Sequence, residues 1–307
     1  MSNNVEDGIP TWLHELCVRL QSDDNKAMLT EVNLNIRRLN YSMMVHFCNV
    51  LLRDDCSALK SLNLTSSLID RADMPSTQVI DPLVRGVLSS TMCSLQILHL
   101  SYNRLTGPLR GLGKSLSVNQ TLTELFLDHN RIDCETAIDL SEGLRMNQSL
   151  QVLQLSSNLI GDRGATHLAG ALVPNKSLRS LGLSRNFIGQ EGGSAFMDTL
   201  WKHKNTTLTV LDLQNNPSIS AATLGWLTTL CQANGLGRRI LLFQSDSLPG
   251  IVAPLLAKAC SQSPSALFVF LQEVHSIVPP PSPSSSSTHA APPIAEMDLP
   301  PSKKACH

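Results

Sequence analysis

His99, Asp128 and His129 are the residues of this chain with the most to offer chemically. An imidazole changes charge close to neutral pH, so a His/Asp pair can serve as a general base and acid. Covalent catalysis also requires an activated nucleophile beside the base, and no such group accompanies this pair. Contact with a partner is therefore the stronger reading. The glycines Gly189, Gly192 and Gly193 fit a repeat turn better than a dinucleotide-binding fingerprint. Eight cysteines (Cys17, Cys48, Cys56, Cys93, Cys134, Cys231, Cys260 and Cys306) form no C-x-x-C pair and no His/Cys group with zinc spacing. No metal or cofactor is expected, and no catalytic residue is assigned.

The elements that must position these residues come from one pattern, L-x-x-L-x-L-x-x-N, repeated five times. The copies are Leu95-Leu98-Leu100-Asn103, Leu122-Leu125-Leu127-Asn130, Leu150-Leu153-Leu155-Asn158, Leu178-Leu181-Leu183-Asn186 and Leu208-Leu211-Leu213-Asn216. Their asparagines lie 27, 28, 28 and 30 residues apart. A fixed period of this length marks a stacked solenoid with a continuous core. The second and third leucines alternate on a short strand and point to one face. No single copy can cover that face, so neighbouring copies must. The chain turns at the asparagine, leaving backbone groups that a strand ladder cannot pair. A buried amide side chain can satisfy a donor and an acceptor there, and its repetition predicts an asparagine ladder. Ala165, Leu168, Ala169 and Leu172 follow at helical spacing, as do Ala137, Leu140 and Leu144, and Phe196 and Leu200. The unit is strand, turn, helix, loop.

This pattern resembles the leucine-rich repeat family. The repeat length and the segments Ile160-Gly161-Asp162-Arg163-Gly164 and Ile188-Gly189-Gln190-Glu191-Gly192 resemble its ribonuclease-inhibitor-like class. That class includes ribonuclease inhibitor, the Ran GTPase-activating protein and the repeat regions of nucleotide-binding innate immune receptors. The resemblance implies an α/β horseshoe, with parallel strands on the concave face and helices on the convex face. It is specific for fold and not for function, because a solenoid serves many partners.

Weaker copies extend the array. Leu29-Val32-Leu34 with Arg37, and Leu59-Leu62-Leu64 with Ser67, keep the frame without the asparagine. Gly237-Ile240-Leu242-Ser245 and Ser265-Phe268-Phe270-Glu273 read as degenerate closing repeats. The expected organisation is a capping region over residues 1–28, with a helix over 10–21; a solenoid over 29–278, with about seven clear and two degenerate repeats; and a disordered Pro/Ser-rich tail over 279–307. The step from Ser67 to Asn103 is 36 residues. Its excess is expected in the polar stretch 70–78, as a surface loop.

Net charge is −1 and pI about 6.7, a balance that gives no electrostatic footprint for nucleic acid or an anionic membrane. The N-terminal residues carry no secretory pattern, and no apolar run is long enough to cross a bilayer. A soluble, monomeric protein of the cytosol, with the nucleus as the alternative, is expected, with its cysteines reduced. N-x-S/T sequons at Asn40, Asn63, Asn119, Asn147, Asn175 and Asn205 could imply a glycoprotein. The last four recur at the repeat period, where a helix ends, so a structural role is expected, with asparagine ending the helix in the left-handed conformation.

Positions between and after the inward leucines must face the concave surface. Most are small or polar. Tyr102, Phe126 and His129 depart from this on two neighbouring copies, beside Glu124 and Asp128. Aromatic side chains with flanking charges are the usual composition of an interface hot spot. These five residues are the candidate centre of a protein-binding surface. The expected function is a non-catalytic scaffold or adaptor. The alternative is a GTPase-activating or other enzyme-regulating protein of the Ran activator type, for which no functional residue can be carried over. Removal of residues 279–307 should leave the thermal unfolding midpoint unchanged, because a Pro/Ser-rich tail buries little surface; a lowered midpoint in a melt of the truncated chain would show the tail to be part of the fold.

Overall fold

The computed structural model describes residues 9–21, 29–52, 58–70, 74–90, 94–107, 109, 111–201, 205–216, 218–219 and 239–241. The chain divides into two units, Met1–Gln244 with Cys306–His307, and Ser245–Ala305. All described residues lie in the first. The second degenerate repeat and the Pro/Ser tail fall outside them.

Eight three-residue strands form one parallel sheet in sequence order. They are β1 (Glu31–Asn33), β2 (Ser61–Asn63), β3 (Ile97–His99), β4 (Glu124–Phe126), β5 (Val152–Gln154), β6 (Ser180–Gly182), β7 (Val210–Asp212) and β8 (Arg239–Leu241). The middle residues align as Val32, Leu62, Leu98, Leu125, Leu153, Leu181, Leu211 and Ile240. In β2 to β5 and in β7 this residue is buried between two half-exposed ones, as period-two alternation requires. The strand-pairing offset of 36 residues between Ser61 and Ile97 confirms one long repeat among standard ones.

Behind the strands run α1 (Thr11–Gln21), α2 (Tyr41–Leu51), α3 (Ser76–Val79), a π-helical turn (Pro82–Val87), α4 (Leu112–Val118), α5 (Cys134–Met146), α6 (Asp162–Leu172) and α7 (Gln190–Trp201). The middle residues of β1 to β7 and the inward faces of the helices meet in one core, with Leu98, Leu125, Leu140, Leu153, Leu168, Leu181 and Phe196 all fully buried. Helices α4 to α7 pack consecutively. At α4 and α5 they come to backbone contact: a Cβ on Gly113 would lie 1.8 Å from the Asp139 carbonyl oxygen, and one on Gly143 would lie 2.2 Å from that of Gly113. Side chains there would push the two repeats apart.

The turn asparagines form the expected ladder. The Asn130 carboxamide oxygen accepts from the Asn103 and Leu105 N–H groups of the preceding repeat at 2.9 and 3.1 Å. Its Nδ2 donates back to Leu100 at 3.0 Å and to its own Leu127 at 2.9 Å. Asn103, Asn158, Asn186 and Asn216 repeat the arrangement. Each is at most 7% exposed. In the second repeat the Ser67 hydroxyl replaces part of this, donating to the Leu34 carbonyl at 2.5 Å. Arg37 sits over the Trp12 ring of α1 at 5.1 Å, tying the first repeat to the N-terminal helix.

The sequon asparagines form a second ladder on the opposite side of the strands. Asn147 Nδ2 donates to the Leu116 and Asn119 carbonyls at 2.7 and 3.1 Å, and its oxygen accepts from Ser149 and Leu150 at 3.0 and 2.7 Å. Asn175 and Asn205 do the same one and two repeats further on. Two parts of the sequence reading are corrected here. Asn119 and Asn147 do not end their helices in the left-handed conformation; both are extended, at φ −71° and −70°. Their side chains take up the helix-end carbonyls of the preceding repeat instead. The 70–78 stretch is also not simply a surface loop, because its last three residues begin α3 and Ser76 is buried, and just beyond it Val79, Ile80 and Leu83 are buried as well. The extra length forms wide helical turns, with the Leu88 N–H reaching back five residues to Leu83.

Substituting Asn158→Ala removes an acceptor from the Ile132 N–H and donors from the Leu127 and Leu155 carbonyls, all buried. The cost should be about 1–3 kcal/mol. A thermal or denaturant melt checks this, and an unchanged midpoint would contradict the ladder's contribution.

Candidate protein-binding surface

The sheet face is built of rows, one residue from each repeat. In the fifth position of the pattern the row runs Asn63, His99, Phe126, Gln154, Gly182 and Asp212, aligned by strand register. At several repeats this side chain serves its own turn. Asn33, Asn63 and Asp212 accept from the N–H two residues on, at 3.0, 2.9 and 3.0 Å. At β3 and β4 rings replace that polar role. His99 stacks on Phe126 with centroids 4.4 Å apart and planes 10° from parallel.

The second pair comes from the turns. Tyr102 and His129 occupy the same turn position one repeat apart, both left-handed, at φ 61° and 53°. Ile36, Ser66, Ser157, Arg185 and Asn215 share that conformation at the same position. A turn with this backbone aims each side chain in the same direction. The Tyr102 N–H donates to the Asp128 carbonyl at 3.0 Å, and that of His129 to Ser156 at 2.9 Å. The Tyr102 and His129 rings stack at 4.2 Å and 9°.

The five residues singled out in the sequence therefore lie together on adjacent repeats. Tyr102 and His129 are exposed, while Glu124, Phe126 and Asp128 are half-buried. Phe126 is less open than its position in the sequence implies, because the His99 ring covers one face. His99 belongs to the cluster and is missing from the five. Its cross-strand position opposite Phe126 is the signal that identifies it.

Two carboxylates frame the rings. Asp128 Oδ1 accepts from the Ser156 N–H at 2.9 Å. Burial raises its pKa, an effect opposed by that bond and by nearby His129. Burial also raises the pKa of Asp212, which the Asp128 charge raises further. Burial lowers the His99 pKa, against the opposite pull of Glu124 and Asp128. The site has two flat ring faces beside half-buried carboxylates. Both imidazoles stack on rings, and Asp128 is bonded to the next repeat. This arrangement suits contact better than proton transfer.

Among the described residues no group of three or more His, Cys, Asp or Glu could hold a metal. None of their helices is long and apolar enough to cross a membrane. Cys17, Cys48 and Cys134 are buried thiols, and burial pushes the Cys48 pKa up to about 12. A hollow of about 290 Å³ lies away from the rings, lined by Thr77, Gln78, Ile80, Asp81, Val84, Arg85 and Leu109.

Matches to known repeat families agree with this architecture. Family models described as Leucine Rich repeat match residues 147–169, 175–197 and 204–222, and a second Leucine Rich Repeat model matches 94–116. The array is a leucine-rich-repeat solenoid. No curated protein matches the chain. Among solved structures it is similar to leiomodin-1 actin-binding site 2, at 19% identity, covering 64% of this chain and 91% of that one, with a TM-score of 0.39. It is also similar to the tropomodulin C-terminal domain of Caenorhabditis elegans, at 15% identity, 62% and 93% coverage and a TM-score of 0.37. A third likeness is to an internalin of Listeria monocytogenes, at 13% identity, 77% and 95% coverage and a TM-score of 0.22.

The raised pKa of Asp212 means that the folded protein takes up its proton at a higher pH than the unfolded chain does, whose value is near 3.8. Stability from this group is therefore highest at low pH and falls as pH rises through the folded value. Asp212→Asn keeps the acceptor for the Gln214 N–H and removes the buried charge. It should raise the melting midpoint at pH 7, with the gain fading as pH drops toward 3.8. Melts of both proteins across this range test it; a midpoint lowered at pH 7 would contradict it.

Proposed function

We propose that this chain is a non-catalytic protein-binding scaffold, acting as a monomer, whose sheet face receives a protein partner at Tyr102, Glu124, Phe126, Asp128 and His129, with His99 as a sixth member. The single observation that carries this reading is the pair of ring stacks on adjacent repeats. They interrupt a face on which most other residues are small or polar. Stacking holds each ring in a defined orientation before a partner arrives, which lowers the ordering cost of binding. The half-buried carboxylates beside them add charge selectivity.

We further assign the repeats to the ribonuclease-inhibitor-like class, on their 28-residue spacing between β4, β5 and β6 and the full helices α5 to α7. The array is taken to run from residue 29 to 278, with residues 1–28 as its cap and 279–307 as a tail. The cytosol is the compartment we infer.

Proximity labelling with the full chain in its native cell, followed by a direct binding measurement, identifies the partner. Phe126→Ala combined with Tyr102→Ala should then weaken binding by at least about tenfold, a modest loss for hot-spot truncation, with the melt lowered little, since neither ring is in the core. Full binding by the double variant would remove the site from this face. Accelerated nucleotide hydrolysis by a small GTPase in the presence of the chain would replace the scaffold reading.

A further inference from the structure

A second row runs along the turn side of the sheet, just beyond the turns that carry Tyr102 and His129. After each turn asparagine the chain places one side chain outward and the next inward. The inward ones, Leu105, Ile132, Ile160 and Ile188, are at most 1% exposed. The outward ones are Arg104, Arg131, Leu159 and Phe187. Backbone bonds hold the last three in one line, and Arg131 is tied to the residue that follows Arg104. The Arg131 N–H donates to the Leu105 carbonyl at 2.9 Å, Leu159 to Ile132 at 2.9 Å and Phe187 to Ile160 at 2.8 Å. Two guanidinium groups, a leucine and a phenylalanine therefore follow one another over four consecutive repeats.

The apolar half of this row has no role in the core. Leu159 is 45% and Phe187 57% exposed, and they are neighbours. The charged half is not neutralised from within. Among the described residues the side-chain ion pairs are Arg85–Asp81 and Arg163–Glu135, so neither Arg104 nor Arg131 takes part in one. The acidic side chains nearby are otherwise engaged. Asp133 accepts from the Thr136 N–H at the start of α5, and Asp162 from the Gly189 and Gly192 N–H groups. Over β1 to β7 the sheet face has the opposite sign, with Glu31, Glu124, Asp128 and Asp212 against Arg185. A segment attracted to the row is repelled by that face, so the two surfaces select different chemistry.

We propose that the row Arg104–Arg131–Leu159–Phe187 is a docking surface for an acidic segment of a partner protein that carries an aliphatic or aromatic anchor. Carboxylates lie over the two arginines, and the anchor covers Leu159 and Phe187. Neighbouring strands of a sheet lie about 4.8 Å apart, so four rows span roughly 14 Å, which is the reach of about five extended residues. The segment is accordingly short and runs across the repeats. A protein ligand fits better than a nucleic acid, because the acidic sheet face borders the row and the chain's net charge is −1.

The test uses the full chain and a fluorescein-labelled synthetic peptide of four glutamates followed by two leucines and a phenylalanine, with the reversed order as a second probe. Fluorescence anisotropy should show saturable binding of one of them that weakens as salt rises, because exposed charges are screened. Arg104→Glu with Arg131→Glu should reduce affinity at least about tenfold and remove the salt dependence, and Leu159→Ser with Phe187→Ser should reduce it similarly while keeping that dependence. The milder pair Arg104→Ala with Arg131→Ala serves if the charge reversal unfolds the chain, as a melt would show. Phe126→Ala should leave peptide binding unchanged, which separates this surface from the sheet-face site. The proposal is overturned by an absence of saturable binding up to about 1 mM peptide, a very weak affinity, or by binding that is indifferent to both rim variants. Capture of oligouridylate in place of the peptide, with the same variant dependence, would also overturn it.

Discussion

Everything in this molecule depends on how a chain can turn out of a three-residue strand without leaving backbone groups unpaired in the core. One carboxamide solves this problem in five of the repeats, at Asn103, Asn130, Asn158, Asn186 and Asn216. Its oxygen accepts from the turn of the preceding repeat, and its nitrogen donates to carbonyls on both sides of the joint, as at Asn130. No apolar side chain could replace it, and a carboxylate could not donate. The bond crosses from one repeat to the next, so the turn and the stacking are secured together. The second ladder, Asn119 to Asn205, closes the other end of β4 to β7 by the same means.

With both ends of the strand tied, the side chains between and beyond them have fixed directions. The leucines turn inward and lose their surface to the core. The turn residue before each asparagine is forced into the left-handed region, where glycine would be the easiest choice. At Tyr102 and His129 the chain keeps a ring there, and the rings of successive turns stack. The surface is therefore a consequence of the ladder. Any side chain at these positions is presented in a row at the spacing of the strands, and the solenoid provides recognition by choosing which row carries rings, acids, arginines or nothing at all.

The electrostatics follow from the same geometry. Rows lying side by side bring Asp128 close enough to raise the pKa of Asp212, and Glu124 and Asp128 close enough to act on His99. Half-burial in the sheet opposes charge on all three. The sheet face thus keeps its acids at some cost in stability. Backbone N–H groups offset part of that cost, from Ser156 at Asp128 and from Gln214 at Asp212.

Much of the fold was legible in the residues. The spacing of leucines and asparagines specified strand, turn, helix and period, because these depend on local alternation and on one buried amide per copy. It also showed that the sequon asparagines were structural, since they recur with the repeat. Their backbone conformation was not legible: a helix end can be closed by a left-handed residue or by a buried amide from the next repeat, and the choice depends on contacts about 30 residues away. The long repeat showed the same limit. Its length was plain, yet the local sequence did not show that Ser76, Val79 and Ile80 are buried. Three site residues, Tyr102, Phe126 and His129, were visible as departures from a mostly small or polar face, with Glu124 and Asp128 as the charges beside them. Only the parallel register revealed that His99 completes the Phe126 stack, and that Arg104, Arg131, Leu159 and Phe187 share one edge. Each copy by itself places a side chain outward. Which side chains become neighbours is decided by stacking one repeat upon the next.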